Sequence, residues 1–167
     1  SATPDFDLTS LAGSTTYYWR VDAQATGGTT AGSVWSFTTA APPRGIVTLT
    51  TGDGFGFSSY NSGLNWSNAA APSLANDYST SNKELRSPVG ASGTTTFGGY
   101  SLSLDSGGTL TTKGANNNTL AIDRLFLNGG RIRVGDQSTL VTISGSTAQV
   151  LAASTLDADQ ASRTLVL

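Results

Sequence analysis

Leu102-Ser-Leu104-Asp-Ser-Gly107-Gly108-Thr-Leu110 and, 23 residues on, Leu125-Phe-Leu127-Asn-Gly129-Gly130-Arg-Ile132 are two versions of one unit. A weaker third version holds Ala148-Gln-Val150 and Leu156-Asp-Ala158. Another column runs through Phe97-Gly-Gly99, Leu120-Ala-Ile122, Val141-Thr-Ile143 and Leu165-Val-Leu167, in steps of 23, 21 and 24 residues. Within each short strand the apolar residues stand two apart, which puts them on one face. A three-residue strand cannot bury that face alone. Coiling the chain so that equivalent strands stack solves the problem, and periods in the twenties point to solenoids. Leu102 then lies under Leu125, Leu104 under Leu127, and Leu110 under Ile132. Gly107, Gly108, Gly129 and Gly130 fall at a corner and are expected to supply positive φ. Asp105 and Asn128 share that corner and tolerate left-handed backbone. The expected architecture is a three-sided parallel β-helix, right-handed by the general chirality of parallel crossovers. The rival is an antiparallel sandwich.

Composition supports an all-β chain. Its 167 residues are 37% hydrophobic and only 12% charged, with 20 glycines. Helix formers are scarce. The net charge of −2 argues against a nucleic-acid partner, which demands a basic face. With no Cys and no His, disulfides, thiolate metal sites, cysteine nucleophiles and the usual general base are all excluded. No cofactor is expected. No apolar run is long enough to span a membrane as a helix. The chain opens on Ser without a signal-peptide pattern and closes on an apolar strand. Both ends therefore read as cut, with rungs continuing beyond residue 167.

Upstream of the repeat, three segments are expected. Residues 1–39 form one unit, with alternation in Tyr17, Trp19, Val21 and Ala23, a hairpin signal at Thr26-Gly-Gly-Thr29, and a return strand at Val34-Trp-Ser-Phe37. Residues 40–45 are a linker stiffened by Pro42 and Pro43. Residues 46–96 are expected to cap the solenoid, with Phe55, Phe57, Trp66 and Tyr78 over the first rung of 97–167. A ligand-binding alternative for the cap would use Trp66, Tyr78, Asp53 and Asp77 as a glycan site.

Leu11-x-Gly-x-Thr15-x-Tyr17-x-Trp-x-Val21-x-Ala23 and Val34-Trp-Ser-Phe-Thr-Thr39 resemble the C-terminal half of a fibronectin type III domain. The resemblance implies sandwich strands and a corner role for the Tyr17 hydroxyl. Gly13 stands where that family often has Pro. The upstream strands of such a domain are missing, so one face of Trp19, Val21 and Trp35 should lie uncovered. Asn65-Trp-Ser67, Ala71-Pro72, Asn76-Asp77, Leu125-x-Leu-Asn-Gly-Gly-x-Ile132 and Ser162-Arg-Thr-Leu-Val-Leu167 resemble bacterial autotransporter-associated β-strand repeats over 46–167. That resemblance implies secretion or cell-surface display, a structural or adhesive role, and no catalytic residues to transfer.

Catalytic constellations are hard to assemble. Asp157 and Asp159 could share a strand face but read as a solvated corner rather than a glycosidase pair. Asp53-Gly-Phe-Gly occurs once, whereas calcium-binding glycine-rich repeats iterate. Arg124, Arg131 and Arg133 cluster in one rung, and Arg131 and Arg133 are expected to point outward without partner acids in register. The functional expectation is a non-catalytic spacer or display stalk, with extracellular glycans or surface proteins as partners and a tendency of the fragment to self-associate. The alternative is a carbohydrate-binding or accessory region of an extracellular polysaccharide-degrading enzyme.

Overall fold

The computed structural model describes residues 10–52, 59–88, 93–113, 116–135, 138–158 and 164–167. Phe55, Phe57, Asp53 and Asp159 lie outside them. The chain divides into two units, Ser1–Pro43 and Arg44–Leu167.

In the first unit, β1 (Thr16–Trp19) and β4 (Trp35–Thr38) pair antiparallel, with Tyr17 opposite Phe37 and Trp19 opposite Trp35. Both pairs stack, at centroid separations of 5.8 and 6.0 Å. Between them β2 (Ala23–Ala25) and β3 (Gly28–Thr30) close a hairpin at the Gly-Gly signal. The Tyr17 hydroxyl accepts the amide of Ala12 at 2.9 Å, which ties the approach to β1. Trp19 and Trp35 are 51% and 61% exposed.

The second unit is a stack of parallel strands in three sheets. Its elements are β5 (Gly45–Thr48), β6 (Asn76–Ser79), β7 (Glu84–Arg86), β8 (Gly93–Thr96), β9 (Ser101–Asp105), β10 (Thr109–Thr111) and β11 (Asn116–Ala121). They continue with β12 (Arg124–Asn128), β13 (Arg131–Arg133), β14 (Ser138–Ser144), β15 (Thr147–Ala152), β16 (Thr155–Asp157) and β17 (Thr164–Val166). The first sheet runs β15-β12-β9-β6-β5, the second β16-β13-β10-β7 and the third β17-β14-β11-β8. From β6 onward the chain visits the three sheets in rotation, and every pairing in them is parallel. This is an all-β, solenoid-like architecture of the β-helix kind.

The expected columns hold in two sheets. Leu125 pairs in register with Leu102, Leu127 with Leu104, and Ile132 with Leu110. All six are buried. In the third sheet β14 and β17 keep the expected pairing of Val141 with Leu165, but the register of β11 differs by two residues from the sequence expectation: Leu120 lies beside Ile143 and Thr95, not beside Val141 and Phe97. A slip of one residue would turn the apolar set outward, but a slip of two keeps every side chain on its face. The alternating pattern is therefore blind to it. A register irregularity between Asn116 and Asn117 takes up part of the spacing.

Residues 46–96 do more than cap. β6, β7 and β8 form a complete earlier rung, with Tyr78 beside Leu102 and Leu85 beside Leu110. β5 extends the first sheet by one more strand, pairing with β6. The closure itself is smaller. Leu49 bridges antiparallel to Trp66, just after a 3-10 turn at Gly63–Asn65, and both side chains are buried. Tyr60, Trp66, Tyr78 and Phe97 meet there, mostly edge to face, with centroids 4.9–6.2 Å apart.

The corner glycines divide their work. Only Gly107 and Gly129 take positive φ, at 87° and 78°. Their partners Gly108 and Gly130 are needed for close approach: a Cβ on Gly130 would press on the Leu104 carbonyl, and one on Gly108 on the Thr80 hydroxyl. The left-handed non-glycine at this corner is Ser106, at φ 53°, rather than Asp105 or Asn128.

Candidate functional site

Of the four residues of the sequence-derived glycan site, the two aromatics are buried. Trp66 is 2% exposed and Tyr78 1%. The Trp66 Nε1–H donates to the Tyr60 carbonyl at 3.0 Å, and the Tyr78 hydroxyl accepts from the Ser73 amide at 2.9 Å. Each ring thus packs its apolar body in the core and satisfies its polar tip internally, leaving no open face for a sugar. Asp77 points outward on β6, where its carboxylate accepts the Ser101 hydroxyl at 2.5 Å. Asp53 lies outside the described residues.

Polar chemistry gathers instead on the outer faces of the sheets. Asp105, at the end of β9, accepts from Ser79 Oγ at 2.5 Å, Ser103 Oγ at 2.7 Å and Asn128 Nδ2 at 2.9 Å. One carboxylate therefore ties β6, β9 and β12 together. Its partial burial favours the neutral form, but the three donors outweigh that and hold the carboxyl below its ordinary value. Sequence reading singled out Asp105 and Asn128 for backbone reasons. Their in-register positions, with Ser79 and Ser103 also one rung apart, are the signal that predicts the side-chain tie.

Near the start of the first sheet, the Tyr100 ring lies between two guanidinium groups. Arg44 Cζ is 3.3 Å and Arg124 Cζ 4.1 Å from its centroid. Arg44 also donates to the Leu74 carbonyl at 3.3 Å, and Arg124 to Asp123 at 2.7 Å.

On the second sheet, Glu84 and Arg86 of β7, Thr109 and Thr111 of β10, Arg131 and Arg133 of β13, and Thr155 and Asp157 of β16 alternate with the inward Leu85, Leu110, Ile132 and Leu156. Arg131 and Arg133 do flank an inward residue, as expected. The expectation that they lack acids in register is corrected: Asp157 pairs in register with Arg133 and forms an ion pair with Arg131. Glu84, on the same face, accepts the Thr111 hydroxyl at 2.6 Å. The residue spacing hid this because the solenoid brings Arg131 to an acid 26 positions further along the chain.

Among the described residues no group of three His, Cys, Asp or Glu is placed to hold a metal ion, and no helix is long and apolar enough to cross a membrane. No family model, curated protein or solved structure matches the chain. Its class is therefore defined by architecture: a parallel-stranded, solenoid-like unit preceded in the chain by two antiparallel strand pairs.

Proposed function

We propose that the chain is a non-catalytic structural segment, a rigid spacer or display stalk in a secreted or cell-surface bacterial protein. In this reading, residues 1–39 are the closing strands of a fibronectin type III-like module, and 46–167 are the capped start of a right-handed β-helix of the autotransporter-associated kind. The observation that carries it is the parallel stacking of β6 to β17 in three sheets around a largely aliphatic core, with one end closed by Trp66, Tyr60, Tyr78 and Phe97. Such a stack gives length and stiffness without needing a cleft.

The chemistry of the titratable groups points the same way. Acid–base work near neutrality needs a group that titrates there. Burial pushes the Tyr60 hydroxyl up, against a smaller opposite effect of its bond to Thr95, while Asp105 is held down by its donors. Both move away from neutrality. The carbohydrate-binding alternative for the cap would use Trp66, Tyr78, Asp53 and Asp77, and the burial of Trp66 and Tyr78 favours the spacer reading over it.

The test is a polysaccharide panel with reducing-sugar and unsaturated-product readouts, run beside limited proteolysis. We expect no turnover, cleavage near residues 40–43, and a resistant fragment from about 44 onward. Turnover that survives repurification and disappears in Asp77→Ala or Asp53→Ala overturns the non-catalytic reading.

A further inference from the structure

We propose that Asn128 is a self-modification site: its side-chain amide is lost by ring closure onto the Gly129 nitrogen, at a rate set by opening of the corner that holds the two residues. The proposal goes beyond the spacer reading and does not depend on it.

It begins with the chemistry of one dipeptide. Of the asparagines in the chain, only Asn128 is followed by glycine. An Asn side chain is open to attack by the backbone nitrogen of the next residue, and glycine puts no Cβ in the way. The Gly129 nitrogen forms a bond to Asn128 Cγ and gives up its proton, the Cγ–Nδ2 bond breaks, and ammonia leaves. Water then opens the cyclic imide at either carbonyl. One product is aspartate at position 128. The other carries the main chain through the former side chain and lengthens it by a methylene. Water is the only co-reactant.

The corner restrains both reacting groups. Asn128 is exposed, so water reaches it. As the last residue of β12 it has strand backbone, in which the next nitrogen points away from the side chain. The Gly129 N–H donates to Ser154 Oγ at 3.1 Å, and Asn128 Nδ2 donates to Asp105 Oδ1 at 2.9 Å. The carbonyls of Asn128 and Gly129 accept the amides of Ser106 and Gly107 at 3.1 and 2.8 Å. Ring closure therefore requires the corner to open, and bonds from the rungs on either side set how often it does. Position also fixes what the reaction does. Asn128 stands in register with Asp105, so aspartate at 128 places a like charge where a donor had been. The lengthened product displaces Gly130, whose backbone passes so near the Leu104 carbonyl that a Cβ would press on it. Either product undoes the side-chain tie between β9 and β12, and neither returns to the amide.

The experiment incubates the full 167-residue chain at mildly alkaline pH, folded and in guanidinium chloride, and follows the tryptic peptide Leu125–Arg131 by mass spectrometry. That peptide holds no other side-chain amide, so its change from amide to acid reads Asn128 alone. The folded chain is expected to convert at least about tenfold more slowly than the denatured one. Ser154→Ala should speed the folded reaction about fivefold, by removing one bond to the Gly129 amide, and leave the denatured rate unchanged. Ser154→Thr keeps the hydroxyl and should follow the parent. Thermal melts of each variant separate a freed corner from a lost fold. Asn128→Asp, made directly, tests the consequence without the reaction. It should melt below the parent at neutral pH, and the difference should shrink as acid protonates one of the facing carboxylates. Equal rates in the folded and denatured chains, a folded Ser154→Ala chain that converts at the parent rate, or an Asn128→Asp chain that melts with the parent at neutral pH would each overturn the proposal.

Discussion

At the scale of single residues, Asp105 has the clearest thermodynamic role. Its carboxylate is bound by donors from three successive strands, so its proton affinity falls on folding. A group with a lowered folded pKa contributes stability that is present above its unfolded pKa and is lost as pH falls through the folded value. Asp105→Ala should therefore cost about 1–2 kcal/mol at neutral pH, a modest figure because the site is partly open to solvent. The gap from the parent should narrow as the pH drops from about 5 to about 3. Urea melts across that range test it, and a pH-independent gap would remove the carboxylate from the account. The glycine pair at the next corner separates two kinds of constraint. Gly129→Ala forces a Cβ into left-handed backbone, at about 1–2 kcal/mol. Gly130→Ala drives a Cβ against the Leu104 carbonyl and should cost more, about 3 kcal/mol. Equal losses in chemical denaturation would mean that the close approach relaxes easily.

At the scale of strands, β12 sets the phase. Leu127 is 3% exposed, between Leu104 and Val150, while Phe126 faces out between Ser103 and Gln149. Leu127→Asp should destabilise by about 3–5 kcal/mol, since it buries an unpaired charge. Phe126→Asp should cost about 1 kcal/mol or less. Urea midpoints that shift equally would refute the assigned facing. The same strands show what a sequence can and cannot disclose. Two columns were legible because Leu102, Leu125, Leu110 and Ile132 combine period-2 apolarity with a shared Gly-Gly corner, which fixes the offset. The third column had no such marker, so Leu120 could slide by two against β14 without changing face. The rung at β6 to β8 was obscured because Tyr78 and Leu85 are its only large apolar inward residues in the first two strands, and β8 is threonine. The burial of the candidate site's two aromatics was hidden for a related reason. Trp and Tyr in a glycine-rich stretch look alike whether they plug a core or greet a sugar. Only their internal partners, the Tyr60 carbonyl and the Ser73 amide, decide.

At the scale of the molecule, the two ends of the stack differ. One is closed by aromatic rings. At the other, β15 to β17 leave Val150 66% exposed, together with Leu151 and Leu156. Unpaired strand edges beside apolar side chains are a template for association. The 167-residue chain should therefore self-associate in light scattering at high concentration, and Val150→Lys with Leu156→Lys should shift it toward monomer. A monomeric parent would show that the exposed rung is not adhesive. The regular step of 23 residues from Leu102 to Leu125 to Ala148 has one more consequence. Each full step lengthens the stack by one strand spacing, so such a chain gains only about 0.2 Å per residue, against about 1.5 Å in an α-helix. Its reach is quantised: removal of one whole step, residues 103–125, would bring Phe126 to the place of Ser103 and leave every later strand a neighbour of the same kind. Genetic gain or loss of a rung would then act like moving one tooth on a rack, adjusting length while leaving the cross-section unchanged.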